Sequence, residues 1–180
     1  KNYVGIDVDH NGINSSTDGA ISRYMTLKKK FPDFTKMTFI NADGGALLTV
    51  KDQEKVIGQM SNENKQYIKD IFEKGTQFDI INCQFAFHYF FEDETKLDNV
   101  CQNMKSYLKP GGFFIATLFD GQQILDLLGD NKNYVSEYTD EEGNKSTFFE
   151  IVNNFGKVKD FNQTGLAIDV HMGWISDEDK

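Results

Sequence analysis

Phe78-Asp79-Ile80-Ile81-Asn82-Cys83-Gln84-Phe85-Ala86-Phe87-His88-Tyr89-Phe90-Phe91 opens as an apolar run and closes as a cluster of polar and aromatic side chains. The apolar part, Phe78 to Cys83, predicts a short buried strand. A strand needs only its apolar residues to stay folded. Gln84, His88 and Tyr89 follow at once, where the strand gives way to the next helix. They offer hydrogen bonds and flat faces to a ligand, and open α/β sheets bind ligands at such strand ends. The structural alternative is that Phe85, Phe87, Phe90 and Phe91 are core residues and that His88 is an internally satisfied histidine.

Outward from this segment, strands and helices alternate. Tyr3 to Val8 and Met37 to Ala42 predict two strands upstream, and Phe113 to Leu118 a fourth strand downstream. Helices are predicted over Ala20 to Lys30, Lys65 to Lys74, Lys96 to Leu108 and Gln122 to Leu128. In the third of these, Leu97, Val100, Met104 and Leu108 recur on one face. Lys28-Lys29-Lys30 suits a helix C-terminus, and Pro32 ends that helix. Lys109-Pro110-Gly111-Gly112 reads as a sharp turn feeding the fourth strand. The pattern implies an α/β fold with right-handed crossovers and a mainly parallel sheet. After Asn131 it changes: Tyr134 to Tyr138, Ser146 to Val152 and Leu166 to Met172 predict strands joined by polar turns, an antiparallel addition. With 180 residues and no low-complexity linker, one domain is expected.

The net charge of −9 argues against a general electrostatic grip on nucleic-acid backbone, though not against recognition of one nucleotide. Cys83 and Cys101 have no metal spacing and read as reduced thiols of a cytosolic protein. His10 and His171 are assigned no metal. No apolar run is long enough to span a membrane.

Two strand ends carry acids. Asp7 can accept hydrogen bonds from both hydroxyls of a ribose, or it can cap a helix or stay solvated; Asp9 could serve instead. Asp43, in Asn41-Ala42-Asp43-Gly44-Gly45, can accept from an exocyclic amine, while Gly44 lets a ring approach the backbone; the plain alternative is an Asp-Gly turn. Arg23 is a cation on a helix, and a surface charge by default.

In this order the motifs resemble a class I S-adenosylmethionine-dependent methyltransferase. An acid ends one strand, Asp-Gly ends the next, a polar-aromatic segment ends the third, and Lys-Pro-Gly-Gly precedes the fourth. The segment from Phe78 to Phe91 is sharper: it resembles the signature of mRNA cap guanine-N7 methyltransferases, in which Gln-Phe is followed by His-Tyr and an aromatic. Pro110 to Thr117 matches as well. Phe119-Asp120-Gly121 resembles the viral variants, as do the Asp-Gly-Ala before Arg23-Tyr24 and the run Gly165 to Val170, a pattern of capping enzymes of large cytoplasmic DNA viruses.

The resemblance implies a Rossmann-like sheet and roles by position. Asp7 would hold the ribose of S-adenosylmethionine, and Asp43 with Gly44 its adenine. Gln84 and Tyr89 would line its methionine end. His88 would hydrogen-bond the cap guanine, Phe119 would flank that guanine, and Arg23 would touch the cap phosphates. His88 and Tyr89 would orient the reactants, with no acid–base residue and no metal. The partner would be the capped 5′ end of an RNA, with triphosphatase and guanylyltransferase domains and a stimulatory subunit as further partners. The compartment would be host cytoplasm or virion for a viral protein and the nucleus for a cellular one. The resemblance also implies a partial domain over residues 1–180: the first strand with its glycine-rich loop has no counterpart, and the acid of the late antiparallel segment is not found at His171-Met172. Without that strand a fragment should fold poorly. Two other readings are a small-molecule methyltransferase and a non-catalytic module that kept the fold.

Overall fold

Asn2–Asp7 (β1) pairs in parallel with Lys36–Asn41 (β2), from Asn2 opposite Lys36 to Asp7 opposite Asn41. Both strands lie in a computed structural model that describes residues 2–157 and 162–173. The chain divides into two compact units, Lys1–Asn82 with Thr95–Ile115 and Cys83–Glu94 with Ala116–Lys180.

In the first unit, β1 leads through helices His10–Asn14 (α1) and Ala20–Lys30 (α2) to β2. Asp9 caps α1 by accepting from the Asn11 amide. α1 is not among the helices expected from the sequence. Gly19 joins the helices because a Cβ there would lie 2.5 Å from the Ser15 carbonyl oxygen, too close for any other residue. Tyr24 of α2 packs on Phe34 and Phe39.

Val50–Ile57 (α3) and Asn62–Ile68 (α4) follow β2, and α4 widens into a π-helical turn over Lys69–Glu73. The sequence reading left α3 out and placed one helix over Lys65 to Lys74. Hydroxyl caps explain the difference. Thr49 accepts from the Asp52 amide and donates to the Asp52 carboxylate, and Ser61 accepts from the Asn64 amide. The core of this unit is Ile40, Ala42, Leu48, Met60, Ile68 and Phe72, with Phe78 and Tyr107 packed against it.

Phe78–Gln84 (β3) pairs with Leu108–Thr117 (β4), and Glu94–Tyr107 (α5) connects them. Lys109 meets Asp79 near the two starts and the Phe85 amide meets Thr117 at the ends, so the strands run parallel. Lys109 to Gly112 is not a turn before the strand but part of it. Gly111 takes φ 79°, and a Cβ on Gly112 would stand 2.8 Å from the Asp79 carbonyl oxygen. The glycines bend β4 and let β3 approach it closely.

The second unit contains Gly121–Leu128 (α6), which Asp120 caps through the Gln122 and Gln123 amides. Asn133–Thr139 (β5), Lys145–Asn153 (β6) and Ile168–Met172 (β7) form an antiparallel sheet in that order. Ile124 and Leu128 of α6 bury against Ile151, with Phe119, Tyr134, Phe149, Phe155 and Ile168 around them. The strand–helix alternation and the antiparallel addition match the expected α/β class. The backbone bonding of the first four strands is divided between two separate pairs. Among the described residues no helix is long and apolar enough to cross a membrane.

Candidate functional site

The ends of β1 and β2 are stitched together by main-chain and amide bonds. The Ala42 amide donates to the Asp7 carbonyl at 2.9 Å. Asn41 Nδ2 donates to the carbonyls of Asp7 and Val8, both at 2.9 Å. Asp7 is exposed, and its Oδ1 accepts from the Asp9 amide at 2.9 Å. Asp9 accepts from the Asn11 amide through Oδ1 as the cap of α1.

The loop from Asp43 to Leu48 is held from behind by side-chain amides. Gln53 on α3 is fully buried; its Oε1 accepts from the Asp43 amide at 2.7 Å, and its Nε2 donates to the carbonyls of Asp43 and Leu47. Asn103 on α5 donates to the Gly44 and Ala46 carbonyls and accepts from the Leu48 amide. Asn99 donates to the Gly45 carbonyl. The Asp43 carboxylate accepts from the Gly45 amide at 2.7 Å. Every carbonyl from Asp43 to Leu47 and most of the loop's amides thus have partners, which holds the loop in one shape. Two of the sequence-predicted residues, Asp7 and Asp43, stand at the ends of paired strands. Arg23 bonds elsewhere in the unit: its Nη1 donates to the Asp18 carbonyl in the turn before α2.

The second unit holds the aromatic half. Phe87–Glu92 form a 3-10 turn after β3. The His88 ring lies 4.3 Å from Tyr89 and 5.0 Å from Phe119, centroid to centroid. Phe87 meets Phe90 and Phe91 edge to face. His88 Nδ1 is buried and has no hydrogen-bond partner. Burial also holds the His88 pKa below its ordinary value of 6.5, so the ring is neutral at physiological pH. Tyr89 is 67% exposed and Phe85 71% exposed. At the strand end, the Gln84 carboxamide oxygen accepts from the Thr117 hydroxyl at 2.9 Å.

Thus His88, Tyr89 and Phe119 are brought together, and Gln84 sits at the β3 end beside Thr117. Sequence reasoning missed Gln53, Asn99, Asn103 and Thr117. Only the Thr49-x-x-Asp52 capping pattern, which places Gln53 on a helix, carried a readable signal. Chemically, the first unit offers the exposed carboxylate of Asp7 and the half-buried one of Asp43 beside a hydrogen-bonded loop, and the second offers a hydrogen-bonding ring within an aromatic nest.

A family model described as mRNA (guanine-N(7))-methyltransferase domain matches residues 1–160. A protein of Acanthamoeba polyphaga mimivirus named "Probable mRNA-capping enzyme" is 41% identical over 97% of this chain and 15% of its own length. The mRNA cap guanine-N(7) methyltransferase of Caenorhabditis elegans is 39% identical over 41% of this chain and 20% of its own length. The chain therefore spans a fifth or less of either relative. Among solved structures, an S-adenosylmethionine-dependent methyltransferase from Clostridium acetobutylicum superposes with TM-score 0.47 at 16% identity, over 99% of this chain and 60% of that one.

Proposed function

The chain belongs to the mRNA (guanine-N(7))-methyltransferase domain family, and we propose that it serves methyl transfer from S-adenosylmethionine to N7 of the guanine that caps an mRNA 5′ end. The observation that carries this reading is His88: a neutral ring in an aromatic nest, with one buried nitrogen left unpaired. An N–H buried without an acceptor is rarer than a buried lone pair, so the proton rests on Nε2. That leaves Nε2–H as donor to a guanine carbonyl oxygen, with Tyr89 and Phe119 as faces for the purine.

The residues of the first unit fit the cofactor. Asp7 is an exposed carboxylate suited to two ribose hydroxyls. Asp43 is fixed by Gly45 and Gln53, with Ala42 and Gly44 as small neighbours that admit an adenine ring. Gln84 and Tyr89 would contact the methionine end, and Arg23 the cap phosphates. When bound, S-adenosylmethionine supplies an electrophilic methyl group.

Guanine N7 presents a lone pair and no proton, so the chain's residues need not move one. Their work is to hold the two reactants in line and to shield them from water. A site of amides, carboxylates and rings, with no acid–base pair, suits that task. By the same reading the partners are capped RNA, triphosphatase and guanylyltransferase domains of a larger capping enzyme, and a stimulatory subunit. The compartment is host cytoplasm or virion for a viral protein and the nucleus for a cellular one.

The test is His88→Ala in the full-length protein. N7 methylation of a GpppN-ended RNA should fall by about a hundredfold or more, while affinity for S-adenosylhomocysteine stays within about twofold. An equal loss of cofactor affinity, or unchanged methylation, would overturn the assignment.

A further inference from the structure

Phe85 is the one non-glycine among the described residues with positive φ, at 52°. A phenylalanine there works against its own backbone preference, and such strain persists only where surrounding bonds over-determine it. The ring gives no reason for the strain, since Phe85 is 71% exposed. The reason lies at its amide, which donates to both the carbonyl oxygen and the hydroxyl oxygen of Thr117, each at 3.0 Å.

That double bond fixes what the Thr117 hydroxyl can do next. Its oxygen accepts from Phe85, and its single proton goes to the Gln84 carboxamide oxygen at 2.9 Å. The carboxamide is thereby turned with its oxygen toward Thr117 and its NH2 away from it. The kink at Phe85 and the orientation of Gln84 are held by one side chain on the neighbouring strand. A valine would fill the same volume and keep the carbonyl bond, but it would lose both hydroxyl bonds.

We infer that Thr117 is a positioning residue for methyl transfer, acting through Gln84 by setting which end of its carboxamide faces the reactants. The inference rests on the proposed function, in which Gln84 meets the methionine end of the cofactor. No other residue role assigned above requires Thr117.

The experiment is steady-state kinetics on the full-length protein with capped RNA, comparing Thr117→Val, Thr117→Ser, Gln84→Ala and the double variant Gln84→Ala/Thr117→Val. Thr117→Val should lower kcat by about tenfold or more, with KM for capped RNA within about twofold and the unfolding temperature nearly unchanged. Thr117→Ser, which keeps the hydroxyl, should recover to within about threefold of wild type. Adding Thr117→Val to Gln84→Ala should cost little more, because the two residues act as one unit. Three results would overturn the inference. In the first, Thr117→Val retains wild-type kcat. In the second, its loss adds in full on the Gln84→Ala background. In the third, serine fails to rescue and the unfolding temperature drops, the mark of a merely structural threonine. A wild type that transfers no methyl to capped RNA overturns the functional reading and this inference with it. An active wild type with an unaffected Thr117→Val overturns the inference alone.

Discussion

The loop Asp43 to Leu48 and the segment Gln84 to Glu92 both follow a strand, yet they are built in opposite ways. The loop is wired: Gln53, Asn99 and Asn103 satisfy its backbone groups from behind, and Gln53 is wholly buried in doing so. The aromatic segment is held by ring contacts, by the Thr117 bonds to Gln84 and Phe85 and by the Gly165 amide on the Phe91 carbonyl; it keeps a strained Phe85 and leaves a buried His88 nitrogen unpaired. Satisfied hydrogen bonds favour a single rigid shape, which suits a cofactor bound in one pose. An unpaired buried nitrogen costs stability, and under the proposed function that cost is accepted because the ring's other nitrogen, Nε2, is the one that recognises substrate. Under the proposed function, the first region supplies a rigid frame and the second supplies recognition.

The largest expected effect breaks the wiring. Gln53→Leu leaves the Asp43 amide and two carbonyls without their partners in a buried site, and should cost about 3 kcal/mol of folding stability. Urea unfolding at constant m would show it; a loss below about 1 kcal/mol would mean that the loop does not depend on this amide. Phe119→Leu in the aromatic half should cost less, about 1–2 kcal/mol, because Phe119 is half-buried at the edge of the α6 core. If it equals or exceeds Gln53→Leu, the contrast between the two regions fails.

A smaller effect is a pH dependence from His88. Its folded pKa lies below the ordinary 6.5, so below that pH the unfolded chain holds more protons than the folded one. Stability is fully kept above about pH 7 and is lost as pH falls from 6.5 toward the folded pKa. Carboxylates lowered by their partners, such as Asp52, Asp70 and Asp79, titrate further into acid and leave this window to histidine. His88→Asn should therefore lose less stability than wild type between about pH 7 and pH 5. Parallel pH profiles of the two unfolding midpoints would show that His88 is not held neutral. The smallest effect concerns the cysteines. Cys101 is exposed on α5, whereas Cys83 is half-buried in β3 with its thiol pKa raised by burial. Iodoacetamide at about pH 8 should alkylate Cys101 first, as mass spectrometry would register; faster reaction at Cys83 would show that the β3 end opens readily.

Much of this was legible in the residues. Short apolar runs and helical spacing located the strands and most helices, and the closeness of Gln84, His88 and Tyr89 marked the aromatic half. Of the polar stretch Lys51 to Gly75 only the helix over Lys65 to Lys74 was legible; α3 and the start of α4 were not, because they begin at hydroxyl caps rather than at an apolar stripe. The Lys109 to Gly112 segment misled for a related reason: Pro and Gly mark turns locally, but here Gly112 is needed for the close approach of β3. The clamping role of Gln53 and Asn103 gave no signal, because an amide in a helix reads as a surface residue until the loop it serves is known.

The sequence by itself determined the α/β class and the identity of the polar and aromatic residues at the strand ends, since these depend on local patterning and side-chain chemistry, and it pointed to the family through the resemblance of its motifs. Only the tertiary structure decided which of them are held, and by what. Amide clamps, the Thr117 bond to Gln84, the strain at Phe85 and the unpaired nitrogen of His88 join residues distant in sequence. Hydrogen bonding and burial at such distances are set by packing, and no local pattern encodes them.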